Sequence, residues 1–346
     1  MRKMSSELAF GATTPAIAPD VTMPDLQRLV GATQRHVLNG PTMGTRYAAV
    51  FHARPGLDAS AIAADLQAAV DLVDRQMSTW KPDSDLSRLN RAPVGTPVPI
   101  PAALAEVLAL GLEIGRHSGG AFDIGMGAMV DAWGFGPRGG GIDAAAATAR
   151  AAEAAVTATE CLSLDGCVAT RLRPVGIDLS GIAKGYGVDR LAAALEAHGI
   201  RDYLVSIDGE LRSAGLKPGG IQWAVALEQP QRGRRAAAEV LHLVEQAIAT
   251  SGDYRHFAEA DGRAVSHSID PRSRRPVDNG VASVTVSART CAAADAWATA
   301  LLVLGETEGP ALAQRLGLDA IFLVRSADGI RRIEVGSLGH ADAVMA

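Results

Sequence analysis

Three cysteines in 346 residues, at positions 161, 167 and 291, are too few and too irregular for a disulfide framework or a zinc pattern. Asp165-Gly166 reads as a two-residue hairpin turn, which would set Leu164 opposite Cys167 and Cys161 opposite Thr170. On that register the first two thiols do not face each other, and the cysteines are expected to be small buried side chains. An excess of positive charge is also missing. The net charge is −5 and no run of Lys or Arg stands out, so nucleic acid is not an expected partner. No stretch approaches the roughly 20 apolar residues of a membrane span, so no transmembrane segment is expected. Aromatics make up only 4% of the chain, which makes each of the four tryptophans worth locating.

What is present is a globular composition, 48% hydrophobic and 21% charged, in a chain long enough for two domains or one large α/β unit. The start, Met1-Arg2-Lys3, could open a secretory signal, and Leu8 to Ala18 is mildly apolar. Glu7, Pro15 and two threonines weaken that signal. No cysteine stands nearby, so no lipoprotein attachment site is expected there. Residues 1–37, broken by Pro15, Pro19 and Pro24, read as a tail, and residues 38–346 as one folded unit.

Hydrophobic spacing outlines the elements. Tyr47 to Phe51 reads as a strand, and Ala61 to Met77 as a helix with Ile62, Leu66, Val70, Val73 and Met77 on one face. A polar segment follows from Ser78 to Asn90, then a helix from Leu104 to His117 ended by Ser118-Gly119-Gly120. Gly176 to Leu179 reads as a short strand feeding a helix from Gly181 to His198. Further strands are expected at Tyr203 to Ile207, Trp223 to Leu227, Gln246 to Thr250 and Ala282 to Ser287. A last helix runs from Cys291 to Leu304 and ends at Gly305. Alternating helices and strands, with hairpins among them, predict an α/β or α+β fold on a mixed sheet.

Five segments carry chemistry-capable residues. Gly134-Phe135-Gly136-Pro137-Arg138-Gly139 matches the dinucleotide fingerprint as a string. No strand precedes it and no helix opens there, so it reads as an exposed turn. In Asp178-Leu179-Ser180-Gly181-Ile182-Ala183-Lys184-Gly185-Tyr186, a strand ends, Ser180 can cap, and a helix starts on small residues. Its glycines either let a phosphate approach the exposed amides or permit tight helix packing. Asp295 and Thr299 lie four apart on one face of an otherwise apolar helix. A buried carboxylate there must be hydrogen-bonded, paired or bound to a cation such as magnesium. Finally, Thr250 to Tyr254 and Ser266 to Pro271 are loops, the second placing His267 beside Asp270.

Taken in order, these segments resemble the FAD:protein FMN transferases of the ApbE family. The likeness begins at Met43-Gly44-Thr45 and Met77-Ser78-Thr79-Trp80 and runs through Asp85 to Asn90. It continues at Gly120 to Asp123, Trp133 to Pro137 and Asp178 to Tyr186, and ends at Ala294-Asp295-Ala296-Trp297-Ala298-Thr299. The resemblance implies a T-fold-related architecture, with helices packed on a mixed sheet and a smaller accessory lobe. It implies FAD contacts at Met43, Trp80, Ala121, Phe122, Asp123, Asp178, Lys184 and Ile269. It places magnesium at Asp295 and Thr299, with the backbone oxygen of Gly181 and a group at Ala298. It departs at Asp208-Gly209-Glu210, where the family has paired glycines before an acidic residue. It departs again at Ser268, in place of an aliphatic residue, and at Arg274, in place of Gly.

The implied reaction is magnesium-dependent transfer of FMN from FAD to a Ser or Thr hydroxyl on an acceptor flavoprotein, with release of AMP. Alternatives are hydrolysis of FAD to FMN and AMP, or flavin binding without catalysis by an assembly factor for a membrane redox complex. His267 is the candidate base, because an imidazole titrates near neutrality and lies close to Ile269, and Asp270 is the alternative. Gly11-Ala12-Thr13 has the outline of an acceptor motif, but Phe10 breaks it, so the expected acceptor is another protein of a membrane redox complex. Family members of this kind imply a periplasmic location.

Overall fold

A computed structural model describes residues 33–137, 141–152, 156–230, 237–253, 257–260 and 263–338. The export-like stretch and Gly11-Ala12-Thr13 lie outside the described residues. The segment read as a tail ends earlier than its sequence suggests, because strand β1 occupies Gln34–Thr42.

One sheet organises the molecule. Its eight strands lie in chain order: β1, β2 (Thr45–Ala53), β3 (Asp202–Ile207), β4 (Glu210–Ala214), β5 (Ala247–Gly252), β6 (Val281–Ala288), β7 (Asp319–Ser326) and β8 (Gly329–Val335). Every neighbouring pair is antiparallel, so the α+β form of the expected class is realised and the mixed pairing is not found in this sheet. The helices do not demand parallel strands. Each long excursion leaves and re-enters the sheet at the same end, as antiparallel neighbours allow.

Side chains alternate across the sheet, as the period of two requires. From β3, Tyr203, Val205 and Ile207 pack under the helices, while Leu204 faces the other way. The helical layer holds α1 (Ala59–Met77), α2 (Asp85–Arg91), α3 (Ala102–His117), α4 (Ala183–Ala197) and α5 (Cys291–Leu316). The apolar face read from the sequence of α1 is the face that is buried. Helix α5 is broken at Gly305, whose φ of 78° and ψ of −170° are not helical, so its first part ends where the sequence signal put it. The opposite sheet face is covered by a hairpin of Trp223–Glu228 and Ala237–Leu243, with Trp223, Leu227, Leu241 and Leu243 packed on Leu211, Ile248 and Ile321.

Residues between α1 and α4 form the accessory part, with a small sheet of Pro97–Pro99, Val168–Arg171 and Leu162–Asp165. Its core is continuous with that of α5: Leu86, Leu104 and Leu108 share one cluster with Trp297 and Leu301. The hairpin expected at Asp165-Gly166 forms one residue later. Asp165 pairs with Val168, leaving Gly166-Cys167 as the turn, with Gly166 at φ 54° in the glycine-first order that a II′ turn needs. Cys167 is consequently exposed, while Cys161 and Cys291 are buried, and all three are free thiols. Among the described residues, no helix is long and apolar enough to cross a membrane.

Candidate active site

The start of α4 and the first turns of α5 meet at one point, and Gly185 is the reason they can. A Cβ there would lie 2.3 Å from the Cys291 carbonyl oxygen and 2.8 Å from Asp295 Cβ. With no side chain in the way, the Gly185 N–H donates to Asp295 Oδ2 at 3.0 Å. One of the amides that a helix start leaves unpaired is thus satisfied by a carboxylate from the neighbouring helix. The two roles read for this glycine-rich start therefore fall on different residues. Gly185 serves helix packing, whereas Gly181 lines an open cavity and brings the backbone close to Thr299: a Cβ on Gly181 would sit 3.4 Å from Thr299 Oγ1.

Ser180 does not cap the helix. The N-cap is Ile182, without a side-chain bond, and the Ser180 hydroxyl and amide both donate to Asp178. Nor is Gly176 to Leu179 a sheet strand. It is held extended by Asn90, whose amide donates to the Ile177 carbonyl at 2.8 Å and whose oxygen accepts from the Ile177 N–H at 2.8 Å. That double bond from α2 fixes where Asp178 projects.

Asp295 is only 4% exposed. Burial raises its carboxyl to about 7, repulsion from Glu210 adds to the effect, and Lys184 with the Gly185 N–H opposes it. Glu210, at the start of β4, is 3% exposed and accepts from Lys184 Nζ through Oε1 at 2.6 Å. Its second oxygen, Oε2, is buried without a hydrogen-bond partner. Burial acts to lower Lys184, but Glu210 and Asp295 outweigh it and hold the ammonium above its ordinary range. Thr299 Oγ1 shares a 3.0 Å hydrogen bond with Ser251 Oγ of β5. Among the described residues, no three His, Cys, Asp or Glu side chains converge as a closed metal cage. The site offers two carboxylates with neutral oxygens at Thr299 and Gly181, a set suited to a magnesium ion that keeps waters or takes substrate phosphates.

These groups form one end of a cavity of about 830 Å³. Met43, Trp80, Ala121, Phe122, Asp123, Asp178, Lys184, Gly181, His267, Ile269, Asp295 and Thr299 all line it, drawn from segments far apart in sequence. Trp80 stands 65% exposed on a turn anchored by Ser84 Oγ donating to the Ser78 carbonyl at 2.6 Å. Asp123 accepts from Gly125 N at 2.7 Å and Ala158 N at 3.0 Å, yet burial holds its carboxyl above the ordinary range. Asp178 is raised likewise by burial, against the two Ser180 bonds. Two sequence candidates fall outside the wall. Asp270 instead accepts from the Arg272 backbone at 2.9 Å and its side chain at 3.1 Å. Ala298 is completely buried in α5, and its methyl group offers a cation no ligand atom.

His267 is half-buried on the cavity wall, with the Phe135 ring edge-on at 6.3 Å between centroids. The glycine-rich loop that mimics a dinucleotide fingerprint follows the short helix Gly127–Ala132, not a strand, and it supplies this ring.

Comparison with known proteins agrees with this geometry. The family model described as "ApbE family" matches residues 43–322. The chain belongs to the ApbE family. A Vibrio cholerae protein named FAD:protein FMN transferase is 37% identical over 302 residues, covering 87% of this chain and 90% of the relative. An Escherichia coli protein of the same name is 36% identical over 308 residues, covering 87% of each. The solved Pseudomonas stutzeri flavinyl transferase ApbE, in its apo form, superposes with a TM-score of 0.79 at 36% identity, covering 88% of this chain and 95% of that one.

Membership in the ApbE family gives the sequence departures a physical meaning. Asp208 and Arg274, which replace glycines of the family pattern, keep left-handed backbones at φ 49° and 56°. Asp208-Gly209 forms the two-residue turn between β3 and β4, with Ile207 opposite Glu210, and Asp-Gly suits such a turn because both residues take positive φ. The substitution thus keeps the turn and adds a carboxylate 3.6 Å from Lys184. Glu210 and Asn90 carried no assigned role in the sequence. The available signal for Glu210 was that the resemblance places an acidic residue just after this turn.

Proposed function

We propose that this ApbE-family enzyme is a magnesium-dependent FAD:protein FMN transferase acting on a Ser or Thr hydroxyl of an acceptor flavoprotein and releasing AMP. The observation that carries this reading is the single cavity in which all eight FAD-contact positions share a wall with Asp295, Thr299 and Gly181. Its chemistry calls for a cation. Among the described residues, Asp74, Asp123, Asp178, Asp208, Glu210 and Asp295 line it against Lys81 and Lys184, so a diphosphate would enter a cavity rich in carboxylates. The unpartnered Oε2 of Glu210 and the raised carboxyl of Asp295 both fit a cation between the protein and that diphosphate.

Magnesium held by Asp295, Thr299 and the Gly181 carbonyl would supply positive charge to the diphosphate as its bridge breaks. The chain's own groups do the rest. Trp80, Phe122 and Ile269 offer apolar surface to the flavin half, and Met43 closes over the α4 side. Lys184, fixed by Glu210, presents a permanent positive charge near the phosphates. The acceptor oxygen forms a bond to the phosphorus of the FMN half. The bond from that phosphorus to the bridging oxygen breaks, and AMP leaves with the bridging oxygen. The hydroxyl proton passes to His267, whose ring Phe135 orients.

Incubating the protein with FAD, magnesium and candidate acceptor domains, then reading covalent flavin fluorescence in a denaturing gel, tests this directly. Free FMN without a labelled acceptor would replace transfer by hydrolysis. The family resemblance supports an acceptor belonging to a membrane redox complex and a periplasmic site of action. Fractionation of cells expressing the native gene tests the location, and an unprocessed cytosolic product would overturn it.

A further inference from the structure

We infer that Glu210 is itself a ligand of the divalent cation in this chain, joining Asp295 and Thr299 through its unpartnered Oε2. The inference rests on the magnesium reading above and adds a residue to it.

Three observations carry it. First, Glu210 is 3% exposed and lines the cavity beside Asp295, and Oε2 is buried with no hydrogen-bond partner. A buried carboxylate oxygen without a donor is costly, and native interiors rarely leave one unless an ion or water completes it. Second, Lys184 occupies only Oε1, at 2.6 Å, and carries one positive charge among Asp295, Asp208 and Glu210. Asp295 and Glu210 share one ammonium, and a dipositive ion would add positive charge between them. Third, Thr299, one turn along α5 from Asp295, lines the same cavity as Glu210 and offers it a neutral oxygen. The cavity thus has a carboxylate and a hydroxyl on α5 and a spare oxygen on β4.

The turn Asp208-Gly209 explains why that oxygen is held in place. It registers Ile207 opposite Glu210, which fixes where the Glu210 side chain leaves the backbone at the first residue of β4. The Lys184 ion pair restrains the carboxylate further and leaves Oε2 as the free valence. The alternative role for Glu210 is as an anchor for Lys184 alone, and the two roles predict opposite behaviour when Lys184 is changed.

Mn²⁺ binding to the full-length protein without FAD, followed by electron paramagnetic resonance, separates them. Glu210→Gln keeps the side-chain size and should weaken Mn²⁺ binding about 10- to 100-fold. Lys184→Gln breaks the same ion pair but removes a positive charge, so Mn²⁺ should bind as tightly as to the wild type or more tightly. Unchanged affinity in Glu210→Gln, or equal losses in the two variants, would overturn the inference and leave Glu210 as the anchor of Lys184. If Glu210→Gln does not fold, wild-type crystals soaked in Mn²⁺ decide the matter. The anomalous peak should lie about 2.1 Å from Glu210 Oε2, near the usual distance for a small hard cation. A peak bound by Asp295 and Thr299 with Glu210 beyond its reach overturns this inference alone. No Mn²⁺ binding by the wild type overturns the magnesium reading together with it.

Discussion

The two ends of the cavity are built differently. Asp295, Thr299, Lys184 and Glu210 stand on α5, α4 and β4, enclosed by the continuous core and locked by the Gly185 contact. Trp80, Met43 and His267 stand on turns and loops, and Trp80 is largely exposed. Packing holds the first set within a narrow range of positions, whereas the Trp80 ring stands largely exposed at the cavity wall. The difference teaches that this cavity carries its buried charged groups on the scaffold and an exposed aromatic ring on its rim.

Substitutions at the two ends should therefore fail in different ways. The largest effect is expected at Asp295. Asp295→Ala removes the proposed cation ligand from the buried end and, on that proposal, should lower turnover at limiting magnesium about 1000-fold or more, the scale of losing a preorganised electrostatic group. Thr299→Val, which loses one neutral oxygen, should cost less. Unchanged single-turnover rates in Asp295→Ala at low magnesium would remove the buried end from the chemistry.

His267 comes next. His267→Ala should slow transfer about 100-fold while FAD affinity stays within a few-fold, as for loss of a general base. Weakened FAD binding with an unchanged transfer step would reassign His267 to positioning. At the rim itself, Trp80→Ala should weaken FAD binding about tenfold, the order of one lost aromatic contact, with little change in the bound-state rate. A fall in the rate at saturating FAD would mean that the rim also shapes the reaction.

The smallest effect is on stability against pH. Asp295 is raised from 3.8 to about 7, so in the folded protein it keeps its proton where the unfolded chain has lost it. Its contribution is fully present below pH 3.8 and is lost as pH rises toward 7, in the absence of a divalent cation. Melting temperatures in chelator should thus fall between pH 5 and pH 8 more for the wild type than for Asp295→Asn. Parallel curves would show that the carboxyl is already ionised in the cation-free protein.

The scaffold end was the more legible of the two in the sequence. The helical spacing of Asp295 and Thr299, set among alanines, marked a polar face on a buried helix, and that face lines the cavity. The face of α1 was equally plain because its apolar residues recur at helical intervals. Helix α2 was hidden because only Leu86 and Leu89 in its seven residues are apolar, too few to reveal a period. Strand β1 was hidden because it is an edge strand that leaves most of its side chains exposed. Met43 and Trp80 followed from the resemblance alone, since nothing local says which loops will meet across a cavity, whereas His267 stood out beside Asp270 in its own loop.

One measurement bears most directly on the central claim: the yield of products in a single turnover with limiting FAD, magnesium and a folded acceptor. The account predicts one covalent FMN on a Ser or Thr for each AMP released, with both products lost in chelator. AMP formed without covalent flavin, or labelling that persists undiminished in chelator, would contradict it.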